Sequence, residues 1–315
     1  MQHQARCRRF DPMPHAAGSP EITQSGTAFM TRTVYLNGQW LPEDQAKVSI
    51  FDRGYVFADA IYEVTAVIGG KLLDYPGHTA RLKRSLEAIG ISMPVSEDEL
   101  LDLHHTIVEK NGLDQGLVYL QISRGAEDRN FLFSDNLTPT LSMFTQVVPL
   151  LANPKAETGL AVISMPDGRW ANRQIKTVQL LYSSLAKMEA KNRGADDVIF
   201  VEDGLITEAS SANFHIITKS GVLVTRQLSN ALLHGITRSS VLSLALTAQL
   251  KVEERAFSVE EAQDAAEAFI TSAGAFVMPV VSIDGTSIGD GKPGKTTLRI
   301  REIYIEDQLS RAMAR

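Results

Sequence analysis

The pattern of apolar and polar positions divides residues 31–150 into short strands and two amphipathic helices. Alternating residues on both sides of Asn37-Gly38 predict a β-hairpin, because this dipeptide favours the tight turn between two paired strands. Ser96 and Glu99 form a capping box in front of an apolar run at helical spacing. The predicted elements are a hairpin over 34–40, strands over 61–68, 117–123 and 140–148, and helices over 78–89 and from Ser96 to about Lys110.

Residues 151–315 carry a second set of strands and helices, which follows the linker-like segment Asn153-Pro154-Lys155. An Asp203-Gly204 turn joins two of the strands. The predicted elements are strands over 160–164, 197–201, 205–217 and 269–271, and helices over 180–193, from just after Thr237, from a capping box of Ser258 and Glu261, and over 296–312. This mixture predicts an α/β (mixed α+β) protein with two domains, a smaller one over 31–150 and a larger one over 151–315.

Composition and charge exclude several classes of protein. The proportions of hydrophobic and charged residues, 44% and 22%, are those of an ordinary globular enzyme. A net charge of −6 argues against nucleic acid, which binds to clustered basic faces. No apolar run approaches the roughly 20 residues that a membrane helix needs. Cys7 is the only cysteine, which excludes a disulfide within the chain and fits a reducing cytoplasm.

The first 30 residues differ in composition from the rest of the chain. They are rich in Pro, Gly, Ser and Gln. Arg6, Arg8 and Arg9 give them a basic character, but no apolar segment follows, so a secretory signal is not indicated. Residues 1–30 are therefore predicted to be a disordered N-terminal extension.

One short motif, taken alone, indicates a different function from the rest of the sequence. Gly289 to Thr296 matches the phosphate-binding pattern G-x-x-x-x-G-K-[ST], which is typical of P-loop NTPases. A P-loop follows a buried parallel strand and opens a domain, whereas Thr296 lies close to the end of this chain. Pro293 also removes a backbone donor, so the NTPase is the least favoured alternative. The seven histidines follow no metal-ligand spacing, and no metal is predicted.

Five other segments follow one another in an informative order. They are Arg53 to Val64, His78 to Leu82, Gln174-Ile175-Lys176, Thr207 to Asn213 and Gly235 to Arg238. Each alone is a weak signal, but together they resemble the class IV aminotransferase family, and within it the D-amino acid transaminases. The likeness extends from about Tyr35 to Ile303. It implies the two-domain fold type IV, pyridoxal 5′-phosphate (PLP) as cofactor, and a homodimer.

The resemblance makes Lys176 the Schiff-base lysine and Glu208 the carboxylate that pairs with the pyridine nitrogen. PLP chemistry needs both, because an amine must bond to the cofactor and an acidic partner must keep the ring nitrogen protonated. The small polar residues from Ala209 to Asn213 allow backbone to approach a ligand closely. A lone lysine is ordinarily a solvated surface residue, and the surrounding motifs outweigh that interpretation.

The same resemblance implies a phosphate site. Arg81 would bind the phosphate, a task that suits a planar and permanently charged guanidinium. Ile236 and Thr237 open a predicted helix, where free N–H groups and the helix dipole favour an anion. Ser272 and Ala273 match a second loop on the phosphate side. Relatives often carry a hydroxyl at the position of Ala273, so this chain offers only a backbone N–H there.

Leu233 and Tyr62 match residues that line the cofactor ring and the substrate. Leu233 would pack against the ring, although a plain core leucine is an equally good interpretation of this residue. Tyr62 would present an aromatic hydroxyl to the substrate, although tyrosines at strand positions usually belong to the core. Both are predicted to line the site on the strength of the resemblance alone.

Arg129 indicates the substrate. It lies in a segment, Ser123 to Phe131, that resembles a loop of the D-amino acid enzymes. In that loop an arginine, and a histidine two residues later, bind the substrate α-carboxylate. Phe131 stands at the histidine position, and Ala66 stands where a lysine is often found. Both changes remove polar groups, so an apolar substrate site also suits a branched-chain acid or a primary (R)-amine.

The expected function is transfer of an amino group between a D-amino acid and a 2-oxo acid, with D-alanine and 2-oxoglutarate as the favoured pair. The expected partners are thus small amino and 2-oxo acids. The alternatives are an (R)-amine or branched-chain amino acid transaminase, a PLP lyase of the aminodeoxychorismate lyase type, and, least favoured, the NTPase.

Overall fold

Six strands of the first half form one antiparallel sheet in a computed structural model that describes residues 31–247 and 250–312. The strands are β1 (Thr33–Leu36), β2 (Gln39–Pro42), β3 (Ala60–Ile68), β4 (Lys71–Leu72), β5 (Gln115–Ser123) and β6 (Thr140–Val147). Their spatial order is β2-β1-β6-β5-β3-β4. The helices of this half are α1 (Arg53–Phe57), α2 (Tyr75–Ala88) and α3 (Glu97–Lys110). Leu82 of α2 and Ile107 of α3 share a buried core with Ile61 and Val118 of the sheet.

Most elements of this half were predicted, and their ends follow from local chemistry. The hairpin turn has positive φ at Asn37 and Gly38, as an Asn-Gly turn requires. The Ser96 hydroxyl accepts a 3.2 Å hydrogen bond from the Glu99 N–H and caps α3. The start of α2 was placed three residues too late, because Pro76 was not counted as a first-turn residue, where proline is well tolerated. The five-residue α1 was not predicted. The predicted extension over 1–30 lies outside the described residues.

The second half forms a larger mixed sheet. Its strands are β7 (Leu160–Pro166), β8 (Asp197–Glu202), β9 (Leu205–Ala209), β10 (Asn213–Ile217), β11 (Leu223–Thr225), β12 (Val252–Glu254), β13 (Glu267–Ser272), β14 (Phe276–Ile283) and β15 (Thr286–Ser287). Their order is β12-β11-β10-β13-β14-β7-β8-β9, with β15 beside β14. Its helices are α4 (Pro154–Thr158), α5 (Leu181–Asn192), α6 (Ile236–Thr247), α7 (Val259–Gln263) and α8 (Lys295–Arg311). None of the described helices is long and apolar enough to cross a membrane.

Both faces of this sheet are covered. Ile216 and Ile217 are consecutive in β10 and belong to different cores, because neighbouring side chains on a strand point to opposite faces. The core around Ile216 includes Ala156 of α4 and Ala262 of α7. The core around Ile217 includes residues of α6 and α8. The result is a three-layer arrangement, as expected for a mixed sheet with helices on both faces.

Two predictions for this half need correction, and one long strand was not predicted. The single strand predicted over 205–217 is two strands, β9 and β10, separated by residues 210–212. The predicted linker contains the first turn of α4, where the Asn153 side chain accepts a hydrogen bond from the Lys155 N–H. Strand β14 was not predicted, because its residues are apolar without alternation and include Pro279, which is uncommon inside a paired strand.

Contacts between the two halves fix the surroundings of Lys176. The Tyr62 N–H of β3 donates a 3.1 Å hydrogen bond to the Lys176 carbonyl, and the Val178 N–H donates one to Ala60. Ala66 and Ile68 of β3 also pack in the core that contains α6 and α8. Thr31–Arg315 accordingly forms one compact unit, and the division into domains at residue 150 stays a prediction.

The motif that resembles a P-loop lies at the start of α8. The Thr296 and Thr297 N–H groups donate to the two carboxylate oxygens of Glu267, at 3.0 and 2.7 Å. These are the N–H groups that a bound phosphate would need. A carboxylate of the chain therefore already occupies the helix start on which an NTPase would rely, and the strand before it, β15, is antiparallel rather than parallel.

Candidate active site

A cleft lies between β3 and α2 of the first half and the ends of β9, β13 and α6 of the second. Its inner part has a volume of about 730 Å³, counted with the space that is open to solvent. A neighbouring part is lined by Arg169 and Trp170 and shares Lys176 and Glu208 with it. The predicted site residues that line the cleft are Tyr62, Arg81, Lys176, Glu208, Leu233, Ile236, Thr237, Ser272 and Ala273. The structure thus brings together nine side chains or backbone segments that are far apart in sequence.

Lys176 lies in the middle of the cleft. Its Nζ atom is 4.0 Å from the centre of the Tyr62 ring. Its backbone is held from both sides, because its carbonyl accepts from Tyr62 and its N–H donates to the Ser85 hydroxyl of α2 at 3.3 Å. The amine is therefore mounted on a fixed backbone and is only partly exposed, which is the arrangement that a positioned nucleophile requires.

Glu208 is a buried carboxylate at the end of β9. Its oxygens accept hydrogen bonds from Asn213 Nδ2 at 3.1 Å and from the Leu233 N–H at 3.1 and 3.2 Å. Burial raises the pKa of Glu208 above its ordinary value, and the nearby Arg169 opposes this rise. A further cation beside the carboxylate would stabilise its charged form.

Behind Glu208 lies a buried ion-pair network that the sequence analysis did not identify. The Arg169 guanidinium donates to Glu208 at 2.6 Å and to Asp167 at 2.7 Å, and so links the two carboxylates. Burial alone would raise the pKa of Asp167, but Arg169 and Thr207 outweigh burial and hold this pKa below its ordinary value. The network fixes the orientation of the Glu208 carboxylate.

Arg81 is held in the same way at the other end of the cleft. Its Nε and Nη2 atoms donate to the two oxygens of Glu63, at 2.7 and 2.8 Å, and His78 Nδ1 lies 2.8 Å from the same carboxylate. Burial alone would raise the pKa of Glu63, but Arg81 and His78 outweigh burial and hold this pKa far below its ordinary value. The third nitrogen, Nη1, makes only a long 3.3 Å bond to the His234 carbonyl and is the one available to an anion.

The end of the cleft near Arg81 suits a phosphate. Ile236 and Thr237 form the first turn of α6, whose initial N–H groups have no acceptor within the helix. Ser272 ends β13, Ala273 follows it in the turn, and both line the same space. A cation at one end, a buried carboxylate at the other and an amine between them fit a phosphorylated cofactor with a cationic ring.

Thr271 lines the same space and is backed by a buried histidine. His215 Nε2 and the Thr271 hydroxyl share a 2.9 Å hydrogen bond, and the His215 ring stacks on Phe269 at 4.7 Å. Burial, with a smaller contribution from Arg238, lowers the pKa of His215 to about 3. The ring is therefore neutral at ordinary pH.

Tyr62 begins an aromatic stack on the wall of the cleft. Its ring lies 5.6 Å from that of Tyr119, which lies 4.7 Å from Phe144. These residues come from β3, β5 and β6 and share one face of the first sheet. Tyr62 is thus both a lining residue and the end of a rigid aromatic wall.

Arg129 and Phe131 do not line the cleft of their own chain. Both are exposed in the segment between β5 and β6, and the Arg129 guanidinium lies 5.5 Å from the rings of Phe57 and Phe131. The same surface exposes several large apolar side chains: Ile50 (70%), Tyr55 (77%), Phe131 (77%) and Leu132 (80%). Among the described residues of a single chain, these two predicted substrate residues are therefore separate from the other predicted site residues.

Sequence reasoning gave no role to Glu63, Asn213 and Arg169, whose side chains hold Arg81 and Glu208 in place. Glu63 carries a detectable signal, because it shares the inner face of β3 with Ile61, where an ionised side chain needs a buried partner. Asn213 lies in a quoted motif but was given no role. Arg169 lies in an irregular segment whose pattern gives no indication of its partners.

The chain is similar in sequence to known aminotransferases. The family model described as amino-transferase class IV matches residues 60–283. A D-alanine aminotransferase of Bacillus licheniformis is 37% identical over 278 residues, which cover 88% of this chain and 97% of that protein. The D-alanine aminotransferase of Staphylococcus aureus (strain MSSA476) is 34% identical over 270 residues, or 85% and 95% of the two chains.

Two solved structures share the fold. The branched-chain amino acid aminotransferase of Escherichia coli superposes with a TM-score of 0.83 at 23% identity, over 88% of this chain and 95% of that chain. The corresponding T.th. enzyme, solved with pyridoxamine 5′-phosphate, has a TM-score of 0.82 at 24% identity, over 89% and 95%. At these identities the structures support the expected fold type.

Proposed function

The chain belongs to the class IV aminotransferase family, and we propose that within this family it transfers an amino group between a D-amino acid and a 2-oxo acid, with D-alanine and 2-oxoglutarate as the favoured pair. The observation that carries the proposal is the match along most of the chain to relatives named D-alanine aminotransferase. The arginine in the segment between β5 and β6 supports it, because a guanidinium can bind a carboxylate through two parallel hydrogen bonds.

The enzyme uses PLP, which when bound supplies an aldehyde that bonds to amines and a ring that accepts electrons. Lys176 would hold the cofactor covalently through Nζ, and Glu208 would pair with its ring nitrogen. The phosphate would be held by a set of cations and N–H groups at the far end of the cleft, namely Arg81, Ile236, Thr237, Ser272 and Ala273. Leu233 would pack against the ring.

Lys176 would also move protons. When its Nζ is free, Lys176 would take the proton from the substrate α-carbon and would later return a proton on the product side. The backbone bonds to Tyr62 and Ser85 keep the amine within reach during both transfers. Nucleophile and base are thus one group, held on a backbone that does not need to rearrange.

Glu208 would keep the ring nitrogen protonated. Its carboxylate is oriented by Arg169, Asn213 and the Leu233 N–H. Burial raises the pKa of this carboxylate, and a cationic ring nitrogen beside it would be a favourable partner at low dielectric. The chain therefore offers a preoriented acceptor for one ionic hydrogen bond.

A second copy of the chain would complete the substrate side. Arg129 and Phe131 are exposed on a surface with several apolar side chains, and such surfaces are typical of interfaces. In a symmetric dimer, each copy would present this surface to the cleft of the other. Arg129 would then bind the α-carboxylate in a cleft that contains the other copy's Lys176.

Mixing two variants that are nearly inactive at D-alanine concentrations well below KM tests this arrangement. Lys176→Ala and Arg129→Ala chains, unfolded and refolded together, should recover about a quarter of the wild-type D-alanine activity, because half of random dimers are mixed and each holds one intact site. Each variant refolded alone is the control. No recovery, with mixed dimers demonstrated by mass, would place Arg129 in the same site as its own Lys176 and overturn the arrangement.

A second candidate substrate class follows from Phe131. Phe131 cannot donate the hydrogen bond of a histidine, whereas Ala66 is buried in an apolar core and is not among the residues that line the cleft. Fewer polar groups near the substrate favour a primary (R)-amine or a branched-chain acid as an additional donor. The expected outcome is a D-specific enzyme that tolerates (R)-amines.

The test is a half-reaction screen of the PLP enzyme with D- and L-amino acids and (R)-amines, followed through loss of the visible band of the covalently held cofactor. We expect D-alanine to discharge the band fastest. A preference for L-leucine would contradict the D-specific proposal. Turnover without a 2-oxo acid acceptor would instead indicate a lyase.

A further inference from the structure

Arginine and phenylalanine side chains alternate in a row beside the segment that carries Arg129. The Arg129 guanidinium lies 5.5 Å from the Phe57 ring, on which Arg53 lies at 4.5 Å. Arg53 is also 5.2 Å from the Phe133 ring, and Arg124 lies on that ring at 3.8 Å. All four distances are within the range of cation–π attraction, which brings each ring into contact with two guanidiniums.

Asp59 holds the two inner guanidiniums side by side. Arg53 Nε donates to Asp59 at 2.9 Å, and Arg124 donates to both of its oxygens at 2.7 and 3.0 Å. Both arginines are buried, and Arg124 also donates to the carbonyls of Ile89 and Gly90. Burial alone would raise the pKa of Asp59, but Arg124 and Arg53 outweigh burial and hold this pKa below its ordinary value. The Arg53–Asp59–Arg124 cluster beneath the Phe133 ring is therefore fixed and charged.

The exposed segment is itself braced. Arg53 Nη1 donates to the Asn130 carbonyl at 2.7 Å and to Glu127 at 3.2 Å. The other Glu127 oxygen accepts from the Ser134 hydroxyl at 2.9 Å. At the base, Gly125 has φ of +112°, and a Cβ there would collide with the Thr138 carbonyl oxygen. The segment is exposed, yet its contacts define one conformation.

We propose that Phe133 is a positioning residue: its ring, seated on the Arg53 and Arg124 guanidiniums, fixes residues 125–134 and thereby the placement of Arg129. This inference deepens the proposed function and rests on it for the role of Arg129. Phe133 touches neither cofactor nor substrate in the proposal. It acts through the segment on the binding of the carboxylate, not on the reacting atoms.

Limited digestion of the PLP enzyme with trypsin tests the positioning directly. Cleavage after Arg129, mapped by mass spectrometry, should be about tenfold faster in Phe133→Ala than in wild type, because opening of the segment no longer costs two cation–π contacts. Phe133→Tyr keeps the ring and should restore the wild-type rate. Phe133→Leu keeps the apolar bulk without a π face and should resemble Phe133→Ala. Equal rates in wild type and Phe133→Ala, or protection by leucine equal to that by tyrosine, would overturn the proposal.

Kinetics separate this proposal from the proposed function. Phe133→Ala should raise KM for D-alanine about tenfold and leave kcat within about twofold, whereas the half-reaction with (R)-1-phenylethylamine should not change, because that amine has no carboxylate. Faster trypsin cleavage with an unchanged KM for D-alanine would support the positioning role and overturn the role of Arg129. An equal loss for acid and amine would show general damage to the fold and overturn the positioning role.

Discussion

The cleft around Lys176 and the segment around Arg129 are both built on charged side chains, but they are completed in different ways. In the cleft, the Glu63–Arg81 and Asp167–Arg169–Glu208 contacts lie among elements of one chain and leave at most 13% of any of these side chains exposed. In the segment, the buried Arg53–Asp59–Arg124 contacts form only the base, and Arg129 at its edge is exposed.

This difference separates two kinds of local requirement. Groups that hold a cofactor must be preorganised against desolvation, and the chain does this by itself. In the proposed dimer, a group that selects the substrate can be presented on a surface, because the partner copy would supply the missing walls. Changes in the cleft should therefore affect the chemical steps, and changes in the segment should affect the choice of substrate.

The largest effect is expected for Lys176→Ala. Turnover should fall by several orders of magnitude, because the nucleophile and the base are lost together. The variant should still bind PLP, but without a covalent link. Borohydride reduction of the wild type followed by peptide mapping should label Lys176, and a label on another lysine would refute the assignment.

Glu208→Gln should come next. The variant should keep the fold and the covalent link but slow proton removal by more than about tenfold, the factor that corresponds to 1.4 kcal/mol, because the ring nitrogen loses its ionic partner. Single-turnover rates with D-alanine measure this step. A rate within about twofold of wild type would contradict the role of this carboxylate in the cleft.

Arg129→Ala tests the other side of the comparison. KM for D-alanine should rise by roughly ten- to a hundredfold, because a charged hydrogen-bonded contact contributes about 1.5–3 kcal/mol, while (R)-1-phenylethylamine should be little affected. Steady-state assays with both donors provide the measurement. Equal losses for acid and amine would show that the arginine is structural.

His215→Phe addresses stability in the cleft rather than catalysis. Because burial lowers the pKa of His215 to about 3, its contribution to stability is complete above the unfolded pKa of about 6.5 and is lost as pH falls toward the folded pKa. Between about pH 7.5 and pH 5, the free energy of unfolding of the wild type should fall by about 2 kcal/mol more than that of His215→Phe or His215→Gln. Urea unfolding at both pH values measures this difference. Equal losses of unfolding free energy in all three proteins would refute the pH-dependent contribution of His215.

Phe131→His should have the smallest effect. It would add one donor for the carboxylate and shift the ratio of kcat/KM for D-alanine over (R)-1-phenylethylamine by about tenfold, slightly less than the roughly 1.5–3 kcal/mol that a hydrogen bond to a charged group contributes. Phe131→Leu, which stays apolar, is the matched control. An equal shift in both variants would point to size rather than hydrogen bonding.

The sequence was sufficient for most of the fold because the turns and caps are local. Asn37-Gly38 and Ser96 act through their immediate neighbours, and both elements formed where predicted. Strand β14 was missed because Pro279 is compatible with pairing only in a particular register that depends on β13 and β7. The partners of Arg169 were equally hidden, since Asp167 and Glu208 are brought together by a sheet.

The site, like the fold, could be predicted only in part. Motifs predicted nine residues that the structure gathers in one cleft, although their roles stay predictions. Arg129 was identified by its motif, but its distance from that cleft was not foreseen, because a motif defines the residues of one chain and not the arrangement of two. Glu63 shows a signal that was available and unused: an ionised residue on the inner face of a strand.

The backbone bonds between β3 and the Lys176 segment have a consequence for the order in which the protein matures. A growing chain that has emerged only to Leu150 contains Tyr62 and Arg81 but neither the amine nor Glu208. In the proposed site, capture of the cofactor would therefore wait until the second sheet has formed and its Lys176 segment has paired with β3. PLP binding to this proposed site would then be a late event in biosynthesis, because the residues that line the cleft extend to the turn after β13.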